Sequence, residues 1–232
     1  MKHPRKPPAS GDVLPTLVDY HPPREPWLSV VHEEDDFIIL DKPSGLLSVP
    51  GRHPSLSDSI RLRARARWPT AEMVHRLDKD TSGLILLARN KPAHARLGAQ
   101  FEARTTEKAY IARVFGRVEQ DHGTVDLPIG VDWENKPRHR VDPEHGRPAR
   151  TEYQVLAREA DATRLRLVPH TGRTHQLRVH MKAIGHVILG DAFYAEGEAL
   201  AAAPRLQLHA AELGFVHPRT GEKLRFTSPA PF

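Results

Sequence analysis

The sequence predicts an α+β fold built on a largely antiparallel mixed sheet flanked by helices and loops. Three observations predict it. Short apolar runs of strand length outnumber helical patterns. Those runs do not alternate strictly with helices, as a doubly wound sheet would require. The chain has 232 residues and no cysteine, so a buried core rather than cross-links must hold it.

The elements follow in chain order. Seven prolines within residues 1–26, with Lys2, Arg5 and Lys6, predict a basic, extended N-terminal arm that is flexible or draped on the surface. Residues 27–232 then form one catalytic-sized domain. The apolar run 37–40 reads as a strand closed by the turn-rich Asp41-Lys42-Pro43-Ser44-Gly45, and 45–49 reads as another. Residues 55–67 read as a helix: Ser55 or Ser57 caps it, and Leu56, Ile60 and Ala64 recur every fourth position. Residues 84–88 are a buried strand. Asn90 caps a second helix with Pro92 in its first turn and Leu97 and Phe101 on one face. Strand character returns over 105–118, 151–156 and 163–168. Thr174 caps a helix to Ile184, with Leu177, Met181 and Ile184 on its core face and Gly185 just beyond its end. Residues 206–216 and 223–227 flank a hairpin turn.

Composition narrows the chemistry. Zero cysteine excludes disulfide scaffolds, zinc ribbons, iron–sulfur clusters and thiol nucleophiles. The net charge of +5 and a sequence pI of about 9.6 point mildly to a polyanionic partner. No apolar segment approaches the roughly 20 residues of a membrane span. No phosphate-binding glycine loop and no nucleophile elbow is present.

Four stretches carry chemically active side chains. His75-Arg76-Leu77-Asp78-Lys79-Asp80-Thr81-Ser82-Gly83 sets charged and hydroxyl groups directly against an apolar strand. Polar groups there must be hydrogen-bonded in a turn or functional. His170–His180 sets Gly172 and Arg173 before a helix, the arrangement of an anion site, and puts Arg178 beside core-facing Leu177. Three histidines invite a metal reading, but His175 and His180, five apart on a helix, do not share a face, and no Cys, Asp or Glu stands nearby at ligand spacing, so a metal site is disfavoured. Lys108 and Tyr110 lie on one strand, where the tyrosine is core or a plate for a nucleobase. Arg61, Arg63, Arg65 and Arg67 on one helix, and Lys136, Arg138, Arg140, Arg147 and Arg150 in a connection, form a solvated face or a phosphate-tracking surface.

Together these stretches resemble the motifs of the pseudouridine synthases of the ribosomal-large-subunit (RluA-type) group. His75–Gly83 resembles that family's signature. Asp41-Lys42-Pro43-Ser44-Gly45-Leu46, Glu107-Lys108-Ala109-Tyr110, Gly172–His180, Gly190-Asp191-Ala192-Phe193-Tyr194 and Leu208-His209-Ala210 resemble its other motifs, in family order from about Trp27 to Phe232. Residues 20–28, 44–52 and 126–133 are similar to its short, dual-specificity branch, which lacks the S4-type domain of many relatives. Ala195 departs from the glycine common in the wider family.

The resemblance implies the pseudouridine synthase fold with an RNA-binding cleft. It implies isomerisation of uridine, in which the N1–C1′ bond breaks, the base turns and C5 rejoins C1′, without metal or cofactor. Asp78 is then the nucleophile at C1′ or the base at C2′. Arg178 is its natural counter-ion, and Tyr110 packs on the base and assists the C5 proton. Arg76 fills the place vacated by a flipped base. Leu177 lines the base pocket, and Lys108 and Arg173 contact RNA. The implied partners are tRNA, at the anticodon stem-loop, and a 23S rRNA hairpin. The expected protein is a cytoplasmic monomer with no membrane contact. Two other readings are a non-catalytic RNA-binding protein of the same fold and a glycosidase-like hydrolase. The hydrolase would usually need a second carboxylate across the bond, and only Asp80 is close.

Overall fold

The computed structural model describes residues 20–232, and the arm expected over residues 1–26 lies outside them as far as residue 19. Its last stretch is tied down. The Tyr20 hydroxyl donates to the Asp58 carbonyl and accepts the Leu47 N–H, while Arg63 donates to the carbonyls of Pro23 and Trp27.

Ten strands form one sheet. β1 (Ser29–Glu33), β2 (Phe37–Lys42), β3 (Glu72–Met73) and β4 (Ser82–Ala88) lie toward one edge. β5 (Glu107–Phe115), β6 (His122–Asp126), β9 (Arg150–Arg158) and β10 (Ala162–Pro169) lie toward the other, with β11 (Leu208–Val216) between the halves. The order is β1-β2-β4-β11-β5-β10-β9-β6. β3 pairs with β4, and β12 (Lys223–Thr227) pairs with β11. β7 (Ile129–Val131) and β8 (His139–Val141) form a separate hairpin. Every pairing is antiparallel except β4 with β11, so the expected largely antiparallel mixed sheet is observed.

The apolar runs of β2 and β4 are explained by cover on both faces. Side chains alternate across a strand. Ile38, Leu40, Ile85 and Leu87 pack with Ile60 and Ala64 of α1 (Ile60–Arg67). Phe37, Ile39, Leu84 and Leu86 pack with Ala93 and Leu97 of α2 (Lys91–Glu102). In the other half, Ala112, Leu165, Leu167 and Leu208 pack with Leu177, Met181 and Ile184 of the α3 region (Gln176–Ala183 with its C-cap), the core face expected from their spacing. A short α4 (Gly197–Ala201) completes the helices. No helix of the described residues is long and apolar enough to cross a membrane.

At the centre, Gly83 has φ +110°, and a Cβ there would stand 2.4 Å from the Ala210 carbonyl oxygen. Only glycine lets β4 approach β11 this closely.

Several expectations are corrected. Residues 45–49 form turns rather than a strand. Their backbone groups are spent on neighbours: Gly45 N–H donates to the Lys79 carbonyl, and the Leu47 and Ser48 carbonyls accept from Ile60 and Arg61. The helix expected over 55–67 is a single 3-10 turn, Pro54–Leu56, followed by α1, whose cap is Ser59. Asn90 caps α2 as expected. Thr174 does not cap α3: His175 occupies the cap position, in the left-handed region at φ 56°, and makes no side-chain bond to the helix. Gly185 sits beyond the helix end at φ +86°, as expected. The basic connection after Asp126 contains the β7–β8 hairpin, and Arg150 opens β9.

The arginines of α1 are also reassigned. Arg63 is fully buried, donating to both oxygens of Asp58. Arg61 pairs with Glu72 and Arg67 with Glu33. Exposed pairs such as these are worth about 0–1 kcal/mol, so Arg61 and Arg67 are merely occupied. Arg63 is structural, clasping residues 23–27 to the domain.

Candidate active site

The second half of the sheet and the β4 approach meet at a cavity of about 370 Å³, in the range of small-molecule sites. All seven residues expected at the site line it: Asp78, Tyr110, Arg178, Arg76, Leu177, Lys108 and Arg173. They come from three segments that β4, β5 and α3 bring together.

Asp78 lies in the loop before β4. That loop is pinned from below by residues 42–48. Lys42, fully buried, donates to the carbonyls of Pro43, Leu46 and Lys79. Ser44 donates to the Asp80 carbonyl, and Ser48 donates to the Leu77 carbonyl while accepting its N–H. Burial pushes the Lys42 ammonium down to about 7, with Asp80 and Asp78 pulling it back up. Three carbonyls use all three donors of the ammonium form.

The Asp78 side chain keeps 30% of its surface exposed. Its Oδ2 stands 3.4 Å from Arg178 Nη1 and 3.8 Å from His175 Nε2. Arg178 is not primarily its partner. The guanidinium makes a two-pronged pair with Asp191, at 2.7 and 2.6 Å, both side chains buried. It also lies 5.0 and 5.1 Å from the ring centroids of Phe193 and Tyr194. Asp191 in turn accepts the N–H groups of Phe193 and Tyr194. Arg178 is thus fixed from behind and reaches Asp78 with a spare nitrogen.

α3 explains why. Residues Gln176 through Met181 are all buried, so each polar side chain needs a partner. Gln176 bonds Thr171, Thr151 and the Arg150 carbonyl. His180 bonds the Thr151 hydroxyl and the Leu127 carbonyl, and no metal-ligand cluster includes it among the described residues. His175 bonds the Tyr194 hydroxyl at 2.7 Å. Burial pushes this imidazole down to about 4, although Asp78 pulls the other way. It therefore faces Asp78 as a neutral ring at neutral pH.

Tyr110 sits on β5 opposite Ala210 of β11 and Leu167 of β10, packed between two core clusters. Burial, then the negative charge of Asp78, raises its phenol above the ordinary range, so the hydroxyl keeps its proton. Lys108 sits 5.6 Å from the Phe101 ring centroid. Arg173 donates to the Pro148 carbonyl. Arg76 is exposed at the cavity mouth and makes no hydrogen bond or ion pair among the described residues.

His75 forms part of the wall. Its ring stacks on Phe101 at 4.6 Å, and its Nε2 accepts the Leu86 N–H at 3.0 Å. Burial, then Lys108, pushes this imidazole down to about 3 from 6.5. The unfolded chain therefore takes up the proton first, and stability rises with pH through that window. Acidification from pH 7.5 to 5 is expected to cost roughly 2 kcal/mol through His75 alone. Urea denaturation at the two pH values measures it, and His75→Gln should flatten the difference by about that amount. An unchanged pH dependence in this variant would refute the neutral assignment.

Asp191, His175 and the Lys42–Ser48 brace were not assigned roles from the sequence. A buried arginine usually has a carboxylate partner; the resemblance named Asp78 as that partner, although Asp191 lies only 13 residues from Arg178 in the chain.

A single part-exposed carboxylate thus stands at the wall of a cavity lined by basic and aromatic side chains. Comparison with known proteins defines the class. Residues 36–183 match the family model described as RNA pseudouridylate synthase. Curated relatives called "Dual-specificity RNA pseudouridine synthase RluA" are 51% identical. In Vibrio vulnificus the match covers 88% of this chain and 84% of the relative; in Escherichia coli K12 it covers 93% and 99%. The solved structure of human RNA pseudouridylate synthase domain containing 1 superposes with a TM-score of 0.75 at 30% identity, over 88% of this chain and 84% of that one. The chain belongs to the RNA pseudouridylate synthase family and is an RNA-modifying isomerase.

Proposed function

We propose that this enzyme converts uridine to pseudouridine in two structured RNAs, the anticodon stem-loop of tRNA and a 23S rRNA hairpin, with Asp78 as the reacting carboxylate. The observation that carries the reading is the setting of Asp78. It is accessible from a cavity of nucleoside size, beside a spare Arg178 nitrogen and a protonated Tyr110 hydroxyl. The relatives' dual-specificity description supports two substrates.

The chemistry follows from the groups present. Asp78 attacks C1′, or takes the C2′ proton, as the N1–C1′ bond breaks. Arg178 holds that carboxylate without quenching it, because Asp191 takes the guanidinium's best geometry. Tyr110 flanks the detached base, and its hydroxyl serves the proton lost from C5. Leu177 packs on the base. The target lies in an RNA loop, so it must leave its stack, and Arg76 at the mouth occupies the vacated place. The reaction is an isomerisation: no atom or electron is gained or lost.

The test is mass-spectrometric mapping of pseudouridine in total RNA from cells with and without the gene. One missing pseudouridine in a tRNA anticodon stem-loop and one in 23S rRNA are expected. Identical maps would overturn the reading.

A further inference from the structure

The active cavity does not end at Arg76. A second groove of about 580 Å³ runs on from it, sharing Arg76, Gly172, Arg173 and Thr174 as a common wall. Its far side is the β7–β8 hairpin. At the tip stands Trp133, 71% exposed, more than any other large apolar side chain of the described residues. An indole left in water needs a reason, and this one is held in place. The Asp132 carboxylate accepts both the backbone N–H and the side-chain amide of Asn135, closing the loop that carries it. Lys136 Nζ lies 4.1 Å from the ring centroid.

The hairpin is also keyed to the catalytic end. The His139 N–H donates to the Tyr194 hydroxyl, which bonds His175, whose Nε2 stands 3.8 Å from Asp78. The His139 and His175 rings meet edge to face at 5.5 Å. Between the tip and Asp78 lie Arg76 and Arg147, whose guanidinium groups make no hydrogen bond or ion pair among the described residues. The groove's acid, Asp142, is already occupied by the N–H groups of Glu144 and His145.

We propose that this groove is a second RNA subsite. It takes the unpaired strand leaving the target uridine, with Trp133 as a stacking plate for one flanking base and Arg147 against its phosphates. Aromatic plates interleaved with free cations recognise single-stranded RNA through stacking and charge. A protein or lipid partner would not need the groove to open into the active cavity. The inference rests on the RNA reading above.

The experiment pairs protein and RNA changes. Trp133→Ala should raise Kd and KM for a stem-loop substrate roughly ten- to thirty-fold, the effect of losing one stacked base. The loss should fall on binding rather than kcat, and Trp133→Phe should restore most of it. The substrate is then made abasic at each loop position flanking the target. At one position the abasic RNA should cost the wild type the same factor and cost Trp133→Ala nothing further. Full additivity at every position, or unchanged Kd in Trp133→Ala, overturns the subsite. Kd is read by fluorescence anisotropy, independently of turnover. Wild type that binds RNA through Trp133 but forms no pseudouridine would therefore sink the proposed function and leave the subsite standing. Thermal unfolding of the Trp133 variants should match wild type, since an exposed indole contributes little to the core.

Discussion

Purified Asp78→Asn is expected to form no measurable pseudouridine, a loss of about 10⁴-fold or more in turnover, as removing a nucleophile or its base costs other enzymes. The amide is nearly isosteric with the carboxylate. Arg178 keeps its two bonds to Asp191, the buried pair that holds it, so nothing in the core loses a partner. The side chain is 30% exposed and its one bond to Arg178 is long, at 3.4 Å, so little stability should go with the charge. Thermal unfolding and stem-loop affinity should stay close to wild type. Product above about one per cent of the wild-type rate in this variant would remove Asp78 from the chemistry. It would also revive a role for Asp80, whose side chain instead lies 3.5 Å from Lys79.

Asp191→Ala should be the most damaging single change away from Asp78. Asp191 has no exposed surface, and the Arg178 side chain has 3%. Removing one partner of a buried pair leaves an uncompensated charge and costs about 3–5 kcal/mol. The N–H groups of Phe193 and Tyr194 lose their acceptor as well. A freed Arg178 has one carboxylate left to reach. It should close on Asp78 and tie up the carboxylate proposed to react, lowering kcat by at least about 100-fold beyond what partial unfolding explains. Denaturant titration and single-turnover kinetics at low temperature separate the two effects. Asp191→Asn keeps the N–H acceptor but not the charge, and should recover part of the stability with little of the rate. A variant that keeps wild-type kcat despite the lost charge would show that Arg178 needs no anchor.

Much of the fold is legible in local pattern because its causes are local. Ile38 and Leu40 alternate with Phe37 and Ile39, and both sets are apolar because helices cover both faces. Asn90 announces α2 by bonding the Ala93 N–H three residues on. The misread stretches are those whose backbone partners lie far away in sequence. Residues 45–49 look extended, yet Gly45 answers to Lys79 and Ser48 to Leu77. Arg63 looks like a surface cation on a basic helix, yet Asp58, Pro23 and Trp27 claim it. Charge counted along a helix says nothing of which charges face inward.

The candidate site divides in the same way. Asp78, Tyr110, Arg178, Arg76, Leu177, Lys108 and Arg173 could all be named from ordered motifs that resemble a family's, and the structure gathers all seven around one cavity. The sequence by itself determined which side chains are available and that the chain folds as an α+β sheet with buried apolar strands. Only the tertiary structure decided who holds whom. Asp191 rather than Asp78 is the main counter-ion of Arg178, Lys42 carries the loop of Asp78, and Trp133 stands at the end of a groove that opens from the active cavity. The physical reason is that burial sets these pairings. A charge or N–H removed from water must find a partner within about 3 Å, and proximity in space between β4, β5, α3 and the β7–β8 hairpin is created by the sheet, not by spacing along the chain.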